Sequence, residues 1–312
     1  MDLGGNGMIS KEEFLKKCET NIIKKLSSDE EYKSLFRKSI MLLLCLMLVC
    51  PCMLLAPFIV ALVFGMEHVP VIFISLAVLT MVLFKLAAKI LNKLVEINKS
   101  VMKNAFSYLG FHSTETEVLY SEILETSPVL KFLEVSFVLK NNGIILGSFK
   151  KESKENRRYA TLISIPYKAP CEAVITNEFR PSRDFKKVKP SFEHPFFKDN
   201  DVFMKDLSKQ SVLLTPNLIE KITKIQSLFM PESLKSDETF GMDVIFLSNQ
   251  IAFVFETSEN EFELSMKSML LKNLFNFKVI QGKETVMYNI NTFETLYNKL
   301  SNINQTIDLL GD

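Results

Sequence analysis

The sequence predicts a membrane protein with a two-helix transmembrane hairpin and a cytoplasmic α+β domain that contains antiparallel hairpins and capped helices. Two observations predict this fold class: an apolar, almost charge-free stretch over residues 41–91, and a change to short β-type runs from about residue 134. The chain has 312 residues, of which 47% are hydrophobic. It is therefore long enough for a membrane hairpin and one further domain of roughly 200 residues.

The apolar stretch contains two candidate spans. Residues 41–66 carry no charge, and as a helix they would measure roughly 39 Å, which exceeds the ~30 Å hydrocarbon core of a bilayer. The uncharged residues 69–84 would measure roughly 24 Å as a helix. This second run reaches spanning length if Lys85 and Lys89 extend their amines to the headgroups.

The spans are predicted at about 41–65 and 69–91, within a hairpin over 39–91. Pro51 and Pro57 lie in the first span and predict a kink without a break, because helices buried in lipid tolerate proline. The alternatives are a buried helical hairpin of a soluble protein and a cleaved signal peptide. The length of the charge-free run argues against the first, and the polar, helix-patterned residues before it argue against the second.

Basic residues flank the hairpin on both outer sides, whereas the turn between the spans has none: Lys33, Arg37, Lys38, Lys85, Lys89, Lys93, Lys99 and Lys103. The positive-inside rule therefore predicts an inner or plasma membrane protein with both termini in the cytoplasm. Lys85, Lys89 and Lys93, at i, i+4 spacing on the second helix, are interpreted either as a solvated polar face or as a site that attracts anionic lipid headgroups.

Residues 1–38 are predicted to form a cytoplasmic N-terminal helical segment. Asp2, Asn6, Ser10 and Glu13 fit an EF-hand-like calcium loop in which Gly4 replaces the acidic residue expected at the third position. We favour the alternative that Ser10 starts a capping box. The helix that follows would then carry an apolar stripe of Phe14, Cys18, Ile22 and Leu26.

Two further signals bound the helices of the hairpin. Residues 28–31 form a second capping box, which is predicted to begin the helix that enters the membrane. After the second span, an amphipathic stalk helix is predicted over 92–110, with Gly110 as its end. Its apolar stripe recurs at spacings of three and four, at Leu86, Ile90, Leu94, Ile97, Val101, Ala105 and Tyr108.

Residues 111–312 are predicted to form the cytoplasmic domain. Two hairpins are expected, one that turns at Asn142-Gly143 and one that turns at residues 248–250. Further strands are expected over 159–167, 171–176 and 211–214, with a charged loop over 150–158. Thr215 with Pro216 is predicted to begin one helix, and the capping box over 291–294 is predicted to begin the last one, which Gly311 ends.

Three segments together resemble a known family. They are residues 191–197, residues 213–222 and the strand Ile251-Ala252-Phe253, followed by the C-terminal helix. In these segments the chain resembles the bacterial membrane family catalogued as domain of unknown function 3137, best over about 185–310. The resemblance implies two spans near the N-terminus and a mixed cytoplasmic domain, but no known activity. Residues 161–167 depart from the aromatic-Gly-aromatic strand expected there.

No catalytic, cofactor-binding or metal-ligating residue is assigned. The net charge of +1 gives no basis for nucleic-acid binding, and the histidines and cysteines lack metal-site spacing. Asp199, Asp201 and Asp206 form an acidic group near His194, which we interpret as a solvated turn. We expect a hairpin that tethers a protein-binding domain to the bilayer. The alternatives are a calcium-responsive membrane protein and a membrane-bound enzyme without recognisable motifs.

Overall fold

The computed structural model describes residues 9–113, 121–130, 133–152, 157–177, 181, 184–229, 242–257, 288 and 290–311. The described chain contains two long apolar helices and an antiparallel sheet, and it divides into two compact units. Unit 1 takes its described residues from Phe106–Glu263 and Glu294–Asp312, together with Ile9. Unit 2 takes its described residues from Ser10–Ala105 and Leu264–Phe293.

Unit 2 begins with the helix that the first capping box predicts. Helix α1 (Lys11–Cys18) starts after Ser10, whose hydroxyl accepts a hydrogen bond of 3.2 Å from the Glu13 N–H. The helix then widens into a π-helical segment, Glu19–Ile23, and continues as α2 (Lys24–Ser28). The predicted stripe is largely buried, and Leu26 is its half-buried end. The π-helical segment was not predicted.

Two long helices follow: α3 (Glu30–Phe64) and α4 (Val69–Tyr108). Gly65, at φ +93°, and a short 3-10 turn, Met66–His68, connect them. Both prolines lie inside α3, which is not broken, as predicted. The N-cap differs from the prediction by one residue. Asp29 has an extended backbone, and its carboxylate accepts a hydrogen bond of 3.0 Å from the Tyr32 N–H.

The part of unit 2 away from the Gly65 turn has a buried interior. Tyr32 and Phe36 of α3 are buried with parallel rings, and Leu94 of α4 is buried as well. Asn98 is also buried, and its side-chain oxygen accepts a hydrogen bond of 2.8 Å from the Tyr288 hydroxyl. The buried face of α4 therefore includes a polar residue, Asn98, which the predicted apolar stripe does not contain.

Unit 1 contains an antiparallel sheet of nine strands among the described residues, in the order β1-β2-β3-β4-β9-β8-β5-β7-β6. Its two edge strands are only two and three residues long. Such short edges expose few backbone groups to strand addition by another chain. The strands are β1 (His112–Ser113), β2 (Glu134–Asn141), β3 (Ile144–Glu152), β4 (Arg157–Pro166), β5 (Ala173–Thr176), β6 (Lys186–Val188), β7 (Asp201–Met204), β8 (Met242–Leu247) and β9 (Gln250–Thr257).

Both predicted hairpins are present. Strands β2 and β3 turn at Asn142 and Gly143, whose φ angles of 45° and 86° fit the mirror-image turn that matches strand twist. A Cβ atom on Gly143 would also lie 2.8 Å from Cγ of Pro166, so this position requires glycine for two reasons. Strands β8 and β9 connect through Ser248 and Asn249, since Leu247 pairs with Gln250.

Three local predictions were wrong. The charged loop over 150–158 is shorter, because β3 and β4 extend into it and Glu152 pairs with Arg157. Residues 211–213 belong to a helix, not to a strand. The C-terminal capping box lies inside a helix, because α8 (Ile290–Gly311) begins one residue before it.

The other helices of unit 1 are α5 (Ser121–Thr126), α6 (Gln210–Leu213) and α7 (Pro216–Phe229).

Both faces of the sheet are covered. On one face, Ile123 of α5 and the nearby Leu130 join a buried apolar cluster that includes Val254 of β9. The next residue, Phe255, points to the opposite face, where its ring stacks at 4.8 Å on Phe229 at the end of α7. The predicted cap of α7 is confirmed, because the Thr215 hydroxyl accepts a hydrogen bond of 3.2 Å from the Leu218 N–H.

Candidate functional site

Helices α3 and α4 carry a continuous series of exposed apolar side chains, here called the apolar surface. It consists of the exposed large hydrophobic residues between Met41 and Leu86. Leu62 is 86% exposed and Phe58 is 72% exposed. Among the described residues, only Leu207 and Val212 are exposed hydrophobic residues of this size outside it. Isolated apolar side chains are normal on a protein surface, whereas a large contiguous group marks an interaction site.

Both helices are long and apolar enough to cross a membrane, and they are mostly uncovered. In the most apolar part of Glu30–Met53, 24% of the residues are buried, and in that of Met66–Tyr108 the share is 6%. A core helix of a soluble protein would be buried over most of its length. The described structure therefore does not contain a protein interior that covers these helices.

Some residues in the apolar part of the two helices are buried, and one pair of side chains there joins α3 to α4. Leu46 and Val60 of α3 and Ala87 of α4 are buried. The Thr80 hydroxyl of α4 lies 3.0 Å from the sulfur of Met53 on α3. The same hydroxyl donates to the Leu76 carbonyl at 2.8 Å, so it remains within hydrogen-bonding distance of its own helix.

Charged groups appear where the apolar surface ends. At that end of the helix pair, the amine of Lys93 on α4 lies 3.9 Å from the carboxylate of Glu31 on α3. Lys38, Lys85 and Lys89 are exposed and lie next to the ends of the apolar surface, which are Met41 on α3 and Leu86 on α4. Glu67 and His68 occupy the opposite end, in the turn.

A buried carboxylate, which the sequence pattern did not reveal, lies in unit 1. Of the buried polar residues in the described chain, Asp243 of β8 is the one with an ionisable carboxyl group. Its Oδ2 accepts hydrogen bonds from the Ser127 hydroxyl at 2.7 Å and from the Val129 N–H at 3.0 Å. The Ser127 oxygen in turn accepts from the Leu130 N–H at 3.1 Å. This network attaches residues 127–130 to the sheet.

The acidic group near His194 serves local structure. Asp201 pairs with Lys187 of the neighbouring strand, and Asp206 caps a short 3-10 turn. Hydrogen bonds from Ser208 are the main reason that the pKa of Asp206 is lowered. The Nδ1 atom of His194 accepts a hydrogen bond of 3.2 Å from the Phe196 N–H. Within the described residues, no three His, Cys, Asp or Glu side chains converge on a common metal position.

Only part of the predicted calcium loop belongs to the described residues. Asp2 and Asn6 lie outside the described residues. Ser10 caps α1, and the Glu13 carboxylate pairs with Lys17 at 2.8 Å. These two contacts are those of an ordinary helix start. The calcium interpretation stays a prediction.

Cysteine reactivity provides a first test of the structure. Burial raises the pKa of the Cys18 thiol to about 12, which leaves about one thiol in ten thousand ionised at pH 8. Cys171 is half-buried, and burial followed by the charge of Asp206 also raises the pKa of its thiol. In a full-length variant with serine at positions 45, 50 and 52, we expect a maleimide to label Cys171 in the native state and Cys18 only after denaturation.

The mass of the labelled protein, followed by peptide mapping, measures this difference. Cys171→Ser should remove the label acquired in the native state, and Cys18→Ser should leave it unchanged. Rapid labelling of Cys18 in the native state would contradict the packing of α1.

The chain was compared with protein families, curated proteins and solved structures. No family model, no curated protein and no solved structure matches it. The resemblance to the membrane family of unknown function therefore stays a prediction. The structure places its three segments in three locations: residues 191–197 lead into a 3-10 turn, Pro195–Lys198, residues 213–222 form the junction of α6 and α7, and residues 251–253 lie in β9.

Proposed function

We propose that this chain is an integral membrane protein, in which α3 and α4 span the bilayer as a hairpin and tether unit 1 in the cytoplasm as a protein-binding domain. The apolar surface is the observation that carries the proposal. Leaving its eighteen exposed apolar side chains in water would cost on the order of 20 kcal/mol. That cost exceeds the ~5–15 kcal/mol of net stability of a typical domain. Lipid removes the cost, because the hydrocarbon core is as apolar as these side chains.

The polar groups of the helix pair also suit a bilayer. Ser75 and Thr80 are the residues with hydroxyl groups between positions 41 and 91, and both donate to carbonyls of their own helix at 2.8 Å. Lipid offers no hydrogen-bond partner, so a spanning helix must satisfy its hydroxyls and backbone internally. The prolines in α3 are compatible with the same environment.

The proposed orientation rests on charge. The basic residues lie before α3 enters its apolar part and after α4 leaves it, and the turn between the helices has Glu67 and His68 instead. This distribution supports a cytoplasmic location for both termini. The resemblance to a bacterial membrane family supports an inner membrane. The binding role of unit 1 is proposed because a strong membrane signal is paired with a domain of strands and capped helices.

A topology experiment tests this proposal. A phosphatase that is active only outside the cytoplasm is inserted after Met66 in one fusion and joined after Asp312 in another, both in the full-length chain. We expect activity at Met66 and none at Asp312, because the turn lies outside the cytoplasm and the C-terminus inside. A chain that lacks residues 41–91 provides the control and should leave the membrane fraction during alkaline carbonate extraction. Phosphatase activity at Asp312, or extraction of the full-length chain by carbonate, would contradict the proposal.

A further inference from the structure

We propose that Lys38 of α3 and Lys85 and Lys89 of α4 form a cationic belt that binds the headgroups of anionic phospholipids. This inference rests on the proposed function, because the belt lies at the boundary of the apolar surface. Lys85 is flanked by Phe84 and Leu86, which are 56% and 47% exposed. The belt therefore begins where contact with hydrocarbon ends.

The three lysines belong to one end of the helix pair. The helices run in opposite directions from the Gly65 turn, so the start of the apolar part of α3 and the end of that of α4 lie at the same end. The contact between Glu31 and Lys93 joins the helices there. Lys85 and Lys89 are four residues apart and therefore share one face of α4.

The charge of the belt is not neutralised within the described chain. None of Lys38, Lys85 and Lys89 has a carboxylate within 4.0 Å among the described residues, whereas Lys33 and Lys93 pair with Glu30 and Glu31. The sequence contains no acidic residue from Tyr32 to Met66, and none from His68 to Val95. An exposed cation that has no carboxylate partner among the described residues remains available to an anion at the level of the lipid headgroups.

The phosphate of a lipid headgroup has the chemistry that this position requires. It lies at the level where the apolar surface ends, and it accepts charge-assisted hydrogen bonds from ammonium groups. The long aliphatic part of a lysine can remain against apolar residues while the amine reaches the headgroup. Attraction of one basic residue to an anionic membrane surface corresponds to about a fivefold change in the binding equilibrium, so three correspond to about a hundredfold.

The test uses the full-length chain reconstituted into nanodiscs with equal amounts of phosphatidylglycerol and phosphatidylcholine. The protein is then extracted with mild detergent, and the lipids that remain bound are measured by native mass spectrometry. We expect phosphatidylglycerol to exceed phosphatidylcholine at least fivefold among bound lipids. The variant Lys38→Gln/Lys85→Gln/Lys89→Gln should bring the ratio close to one.

A matched control removes three positive charges elsewhere on unit 2. Lys24, Lys25 and Lys103 are exposed and lie outside the apolar surface, so the variant Lys24→Gln/Lys25→Gln/Lys103→Gln should keep the preference. An equal loss in both variants, or equal binding of both lipids by the original chain, would overturn the belt. If the original chain binds both lipids equally but resists carbonate extraction, the belt is wrong and the proposed function stands. If carbonate extracts the original chain, the belt and the proposed function are both wrong.

Discussion

Replacing Asp243 with alanine is expected to destabilise unit 1 by roughly 2–5 kcal/mol. The substitution removes the acceptor of the Ser127 hydroxyl and of the Val129 N–H, at a site where Asp243 and Ser127 are both buried. The buried Ser127 hydroxyl and the half-buried Val129 N–H then lose their acceptor, and leaving a buried donor without a partner costs more than its hydrogen bond contributes to stability. Hydrogen exchange of the amides of β8 and β9 in the full-length chain measures the change.

An exposed aspartate in the same sheet provides the control. Asp201 of β7 pairs with Lys187 on the surface, where an ion pair contributes about 0.2–1 kcal/mol. Asp201→Ala should therefore change hydrogen exchange in β8 and β9 very little. Asp243→Asn retains an acceptor oxygen and should fall between the two. Equal exchange rates in Asp243→Ala and in the original chain would show that the network does not hold residues 127–130 against the sheet.

Replacing Phe253 with alanine is expected to cost about 3–5 kcal/mol, since it creates a cavity in a buried part of the sheet. Phe253 is completely buried in β9, with its ring parallel to that of Phe255 at a centroid distance of 6.2 Å. Neighbouring strands limit how far the site can collapse, because β4 and β8 pair with β9 on either side. Thermal unfolding of the full-length chain in lipid nanodiscs, followed by circular dichroism, measures the loss.

The same truncation at Phe58 is the matched comparison. Phe58 of α3 is 72% exposed, and in a bilayer its ring contacts lipid, which can fill the space that the ring leaves. Phe58→Ala should therefore lower the unfolding temperature of the chain in nanodiscs far less than Phe253→Ala. Equal losses for the two variants would indicate that protein, not lipid, surrounds α3.

Elements with a local cause could be predicted from the sequence. The turn at Asn142 and Gly143, the cap at Thr215 and the two long apolar helices each depend on neighbouring residues, and all of them are present. Short apolar runs gave less certain results. Residues 211–214 were predicted as a strand, but residues 211–213 are helical, because a run of three apolar residues does not distinguish the two periods.

The buried polar contacts could not be predicted, because their partners are distant in sequence. Asp243 and Ser127 are 116 residues apart, and Tyr288 and Asn98 are 190 residues apart. Because they are polar, Asp243 in a strand and Asn98 in a helix are expected from the sequence to face solvent. The strand extension through Lys150 had a similar cause, since the pairing of β3 with β4 is decided by the fold and not by the polarity of the residues.

The chain order of the sheet has a consequence for biosynthesis. Strand β4 is held between β3 and β9, yet β9 begins at Gln250, long after α4 has been made. At ~5–20 residues per second, a ribosome needs roughly 7–30 s to travel from the end of the apolar helices to β9. During that interval the nascent chain carries a complete pair of apolar helices and an incomplete sheet. The apolar surface is therefore synthesised before the sheet can close.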